Sequence, residues 1–373
     1  MPEEIKEQGT EIIMWKKKQN MEPGENTEAL TASEEGKSKK VKKKKSWKRR
    51  LLKLAGIILL LYILLIVFLV CACEIPDFME KMPFYSTITE LGYSQQVQTE
   101  DIKANKETTL QETREWYQQT EREQIFITSE DGYKLDAVRF LHPEGEDESH
   151  NWVLILHGYT GSKTEMYEFG YHYYQMGYQV LVPDLRCQGE SEGDFIGMGA
   201  TDSEDCLLWV DKILELDPRA KVVLHGQSMG AATALLMSNK EDLQDCVKAI
   251  VSDAAYTDAY TMFGQKLKEW FHLPAFPLVD TANLFVMLRA GYNLKKDAAP
   301  LKAVPDSKVP ILFIHGTEDE MIDVDMTYQL YEAAGCEKQL LIVEGAGHAQ
   351  TQYKDPENYY RTIEDFVSPY MAD

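Results

Sequence analysis

Six short runs without a charged side chain recur at residues 153–156, 180–182, 222–224, 249–251, 311–314 and 340–343. Each is short and continuously apolar, the pattern of a strand buried on both faces. Segments of helical length separate them, so the pattern predicts an α/β fold whose mostly parallel sheet is covered by helices on both sides. Ahead of them, "QIFITSEDGYKLDAVRF" holds two alternating runs around Asp131-Gly132. That is a hairpin signal, and it leads into the sheet. In sheets of this kind reactive groups collect past the carboxyl ends of the strands.

Those ends are informative. They read His157-Gly158-Tyr159-Thr160-Gly161-Ser162, Pro183-Asp184-Leu185-Arg186, Gly226-Gln227-Ser228-Met229-Gly230, His315-Gly316-Thr317-Glu318-Asp319 and Gly345-Ala346-Gly347-His348. In "VVLHGQSMGAATALL" an apolar strand runs through Gly226-Gln227-Ser228-Met229-Gly230 into a string of small helix-forming residues. Ser228 is thus set on a strained strand-to-helix corner, with glycines on either side where a β-carbon would collide with a neighbouring element. The first N–H groups of the following helix, that of Met229 among them, lack intrahelical partners and point toward whatever the hydroxyl attacks.

A serine hydroxyl is a poor nucleophile at neutral pH. It needs an imidazole to take its proton and a carboxylate to fix that imidazole's tautomer. Ser228, Asp319 and His348 come in that order, each just past a strand. His348 is preferred over His157, His225 and His315 because it follows the last strand in a glycine-rich loop able to reach back over the serine. Asp319 competes with Glu318, Glu320 and Asp323, and with Asp253 after the fourth run. Its place in Gly316-x-x-Asp319, on the loop after the strand, favours it.

Outside this region the chain changes character. Residues 1–36 are polar and mixed in charge; residues 37–53 carry eleven Lys or Arg and no acid; residues 54–73 are twenty uncharged residues in a row. Twenty apolar residues match the thickness of a bilayer core. A buried soluble helix would show a polar face, and a cleavable signal would not begin some fifty residues in. Cys73 follows Val70-Cys71-Ala72, only a faint lipoprotein box. The expectation is a disordered cytoplasmic tail over 1–53 ending in the polybasic run, then a transmembrane helix over 54–73. A partly helical stalk over 74–122 and an α/β domain over 123–373 follow, with a helical cap inserted at about 254–300. The basic flank holds the N-terminus in the cytoplasm by the positive-inside rule, which puts the domain outside the cell membrane.

Residues 74–373 keep 24 basic and 52 acidic groups, a net charge near −28. Long-range repulsion then argues against nucleic acid or anionic polymers as ligands. Cys187, Cys206, Cys246 and Cys336 show no metal spacing, and there is no His-Glu-x-x-His, so neither a metal nor another cofactor is expected. Outside the cell, one or two disulfides among the four are open to the chain.

The set "LILHGYTGSK", "VLVPDLRCQGESEGD", "VLHGQSMGAA", "ILFIHGTEDEMI" and "GAGHA" resembles the α/β-hydrolase superfamily, in particular bacterial membrane-anchored serine hydrolases of the esterase and serine aminopeptidase-like branch. The likeness runs from about residue 124 to 367. It implies that Ser228 is the nucleophile, Asp319 the orienting acid and His348 the general base, with the N–H groups of Tyr159 and Met229 as oxyanion hole. Cys187-Gln188 stands where many relatives have Gly-His. The activity expected is hydrolysis of an uncharged, apolar ester or related acyl compound through an acyl-enzyme. A peptidase and a non-catalytic surface protein on the same fold are the alternatives.

Overall fold

The computed structural model describes residues 47–68, 99–142 and 150–372. The chain divides into two compact units, Met1–Leu65 and Ile66–Asp373. The helix Trp47–Phe68 is long and apolar enough to cross a membrane. It begins inside the basic run rather than at Leu54, because Lys48, Arg49, Arg50 and Lys53 are themselves good helix formers. The expected tail before Trp47, the end of the expected span after Phe68 and the first part of the expected stalk lie outside the described residues.

In the larger unit, β1 (Arg122–Thr128), β2 (Lys134–Phe140), β3 (Asn151–Leu156), β4 (Gln179–Pro183), β5 (Lys221–Gln227), β6 (Val247–Asp253), β7 (Ile311–Gly316) and β8 (Lys338–Val343) form one sheet. Their order is β1-β2-β4-β3-β5-β6-β7-β8. β1 pairs antiparallel with β2, Thr128 opposite Lys134, and β2 antiparallel with β4; the other pairs are parallel. The hairpin turns where Ser129 N donates to the Tyr133 carbonyl at 2.9 Å, with Gly132 at φ 94°. That left-handed backbone suits glycine.

Successive residues of the parallel strands enter different cores. Trp152, Leu154, Leu156, Val222, Leu224, Ile250, Ile311 and Phe313 pack with the helices Ala200–Leu216, Met229–Met237 and Val324–Ala333. Val153, Ile155, Val223, Ala249, Val251, Leu312 and Ile314 pack with Glu100–Gln119, Tyr167–Gln175 and Pro356–Met371. Full burial of each such side chain contributes ~1.5–3 kcal/mol, which is why these strands have no polar face. The helix Glu100–Gln119 belongs to the segment read as a stalk, and it forms part of this second layer. Its Trp116 lies against Phe140 with ring centroids 4.4 Å apart, and the Asn105 side chain donates to the Tyr353 carbonyl at 2.8 Å.

Between β6 and β7 the insertion forms the helices Ala259–Phe271 and Ala275–Ala290. Its ties run to two separate loops. Arg289 donates to the Asp194 carbonyl at 2.9 Å and the Tyr292 hydroxyl to the Ile196 carbonyl at 3.0 Å, both after β4, while Lys266 Nζ donates to the Glu320 carbonyl at 2.6 Å, after β7. The insertion thus reaches across the carboxyl ends of the strands between β4 and β7, β5 among them.

Candidate active site

Ser228 is held at φ 57°, ψ −117°, a conformation costly for any residue with a side chain. The corner closes only because its neighbours lack one: a β-carbon at Gly226 would overlap the Gly230 carbonyl, and one at Gly230 the Leu156 carbonyl. Ser228 N donates to the Asp253 carbonyl at 2.8 Å, and the Ser228 carbonyl receives Ala232 N at 3.0 Å. The strain is therefore over-determined from both sides.

His348 stands in the loop after β8. Its Nε2 lies 3.0 Å from Ser228 Oγ and its Nδ1 2.7 Å from Asp319 Oδ2. The Asp319 side chain is fully buried and that of His348 largely so. Asp319 Oδ1 accepts the N–H groups of Met321 and Ile322, each at 2.8 Å, and Oδ2 also faces His315 Nε2 at 3.1 Å. Burial alone would raise the Asp319 pKa, but His348 and His315 outweigh it and hold the carboxyl well below its ordinary range. Burial alone would lower the His348 pKa, and the Asp319 charge reverses that, leaving it above the ordinary imidazole value. An ionised carboxylate only accepts, so Nδ1 of His348 bears the hydrogen and Nε2 is free to accept the serine proton.

The other candidates lie elsewhere. Glu318 and Glu320 are exposed, and Asp323 caps the helix Val324–Ala333 by accepting Asp325 N at 3.0 Å. Asp253 turns to Thr351 and Tyr359. His157 is a strut: its Nδ1 faces the Gly158 carbonyl at 2.7 Å and its Nε2 accepts Leu185 N at 2.9 Å, which fixes the tautomer with hydrogen on Nδ1. His225 lies between the Tyr173 and Tyr359 hydroxyls, and burial pushes its pKa down to about 3. His315 carries more weight than the sequence suggested. It faces Asp319 and the Ile322 carbonyl through Nε2, and Thr327 Oγ1 at 2.6 Å through Nδ1. Its place four residues before Asp319 was the only signal.

The turn bearing Tyr159 lies beside the serine, since a β-carbon at Gly158 would stand 3.4 Å from Ser228 Cβ. Met229 supplies the first N–H of the helix Met229–Met237. Just past the turn, buried Lys163 reaches Asp136 at 2.7 Å, Glu190 at 2.9 Å and Asp184. Among the described residues these three carboxylates form the one group spaced to hold a cation, and the Lys163 ammonium is bound to all three. Its burial would depress its pKa, but the carboxylates raise it above the ordinary lysine value. Cys187, Cys206, Cys246 and Cys336 are all free thiols. The disulfides open to the sequence are not formed.

A sheet of this order, with helices on both faces and a serine at the β5 corner, is the α/β-hydrolase fold. Residues 147–285 match the family described as serine aminopeptidase, S33. Among curated proteins the chain is similar to YqkD of Bacillus subtilis, at 28% identity over 72% of this chain and 86% of that one. It is also similar to the membrane protein YNL320W of Saccharomyces cerevisiae, at 24% identity over 66% and 79%. Among solved structures, the Pyrococcus furiosus esterase Pf2001 superposes with a TM-score of 0.53 at 22% identity, over 68% of this chain and 94% of that one. Together these likenesses support hydrolysis as the general activity.

Proposed function

We propose that the chain is a membrane-anchored serine hydrolase acting on carboxylic esters or related acyl compounds. The observation that carries the reading is the unbroken hydrogen-bonded series from Ser228 through His348 to Asp319. Ser228 Oγ attacks the substrate carbonyl while His348 Nε2 takes its proton. The N–H groups of Met229 and Tyr159 stabilise the oxyanion. His348 then gives the proton to the leaving group, an acyl-Ser228 remains, and water activated by the same imidazole releases the acid. Asp319 holds the tautomer and the imidazolium charge throughout.

The helix Trp47–Phe68 supports anchoring, and YNL320W is named a membrane protein. The basic flank before it supports a cytoplasmic N-terminus. External protease should then remove the domain from intact cells; protection, with controls cut, would reverse the orientation.

Reaction with a fluorophosphonate probe tests the chemistry. Wild type should be labelled and Ser228→Ala should not, and equal labelling of both would end the serine reading, as would none in wild type. The family description favours a second reading, a peptidase. Rates on p-nitrophenyl esters from acetyl to dodecanoyl, beside aminoacyl nitroanilides, separate the two. A pocket gaining ~0.8 kcal/mol per buried methylene should raise kcat/KM as the chain lengthens, and faster cleavage of the anilides would favour the peptidase.

A further inference from the structure

The cap is apolar on both sides. On the helix Ala275–Ala290, Leu278, Val279 and Val286 are buried, while Leu284, Phe285, Met287 and Leu288 are exposed. Leu284 and Leu288 are four residues apart and share the face opposite Val286. Trp270, Phe271 and Phe276, around the junction of the two helices, are exposed as well, Phe276 being 74% and Leu288 76% exposed. Seven of the eleven exposed large apolar side chains in the described part of the larger unit fall between Trp270 and Leu288. An apolar concentration of this kind on a water-facing surface marks an interaction site.

Charge selects the partner. The domain is strongly acidic, yet between Ala259 and Lys296 there are five basic residues, Lys266, Lys268, Arg289, Lys295 and Lys296, against two acids. Lys268, Lys295 and Lys296 are exposed. Exposed aromatic and aliphatic side chains accompanied by exposed lysines match a bilayer interface, where rings enter the headgroup level and ammonium groups stay with the phosphates. The same chain carries a helix that is apolar enough to span, so a bilayer is its standing neighbour. We infer that the outward face of the cap seats on the lipid surface in which the chain is anchored. The substrate's acyl chain would then be offered from lipid rather than from water.

This inference rests on the anchoring reading, and the test separates the two. The full chain is reconstituted in vesicles of phosphatidylcholine and phosphatidylglycerol with acyl chains brominated near the headgroup. Alkaline carbonate extraction first asks whether the chain stays with the vesicles; release would overturn anchoring and docking together. The emission lost in Trp270→Phe then isolates the Trp270 signal from the other tryptophans. It should be quenched several-fold by brominated lipid. In Phe276→Ser/Leu288→Ser, whose sites are exposed, the quenching should disappear with the melting temperature unchanged. A chain retained by the vesicles whose Trp270 signal ignores bromine overturns the docking alone. Cross-linked dimers through Leu288→Cys, without quenching, would instead assign the face to a second copy and overturn it equally.

Discussion

Asp253 ends β6 and Asp319 lies on the loop just after the neighbouring β7, both with buried side chains, and their pKa values are moved in opposite directions. Asp319 is met by two backbone N–H groups and two imidazoles, which cover both of its oxygens. Asp253 receives the Thr351 hydroxyl at 2.8 Å and the Tyr359 hydroxyl at 3.0 Å on Oδ2, and its Oδ1 has no partner among the described residues. Desolvation therefore prevails at Asp253 and raises its pKa, while at Asp319 the donors prevail. Position near a strand end makes a carboxylate available; the donors converging on it decide which way its pKa moves.

The largest effect comes from breaking the series that Asp319 serves. Ser228→Ala and His348→Ala should each lower kcat by ~10⁵–10⁶, and the double variant should cost little more, because the residues act as a unit. Additive losses in steady-state kinetics would contradict the proposed mechanism. Next, Asp319→Asn should cost ~10⁴ in kcat through the wrong imidazole tautomer, and Asp253→Asn less than ~10-fold. The reverse ranking would move the acid to β6.

A third effect is on pH. The His348 pKa is raised, and catalysis needs the neutral ring, so the acid limb of kcat/KM should lie above the ordinary imidazole value of about 6.5. Removing the charge in Asp319→Asn should move that limb to lower pH in whatever activity remains. An unmoved limb would mean another group titrates.

The smallest effect is on stability. A carboxyl whose folded pKa is raised contributes stability below its unfolded pKa and loses it as pH rises. At neutral pH the Asp253 carboxyl is therefore a burden, and Asp253→Asn should melt higher than wild type at pH 7. The advantage should shrink as pH falls toward the ordinary carboxylate range. A lower melting temperature at pH 7 would show that Asp253 is paired better than its neighbours indicate.

What could be read from the chain beforehand follows the range of the interactions involved. The Ser228 corner is local: two glycines, a strand and a helix lie within one stretch, and each constrains the others. The sheet was legible because unbroken apolar runs leave no other arrangement. The hydrogen bonds that divide Asp253 from Asp319 come from Thr351, Tyr359, His315 and His348, and three of these four lie tens of residues from the acid they contact. Spacing alone could rank the two acids but could not show their states. Trp116 gave little sign of its place in the helical layer, because one aromatic among polar residues makes a weak apolar stripe. The free thiols likewise depend on where the strands and loops place Cys187, Cys206, Cys246 and Cys336 in space.

Lys163 has a consequence for local opening. Loops over reaction centres usually belong to the least protected parts of a protein and exchange their amide hydrogens through small excursions. Here the turn bearing Tyr159 leads into a lysine whose backbone N–H is accepted by Asp184 Oδ1 at 2.7 Å and whose ammonium is shared by three carboxylates from other segments. To lift that segment, a buried cation would have to leave all of its counter-charges at once. The Lys163 amide hydrogen should therefore exchange as slowly as those of the central strands, and the turn before it, with the proposed oxyanion donor of Tyr159, would be held in place from that end.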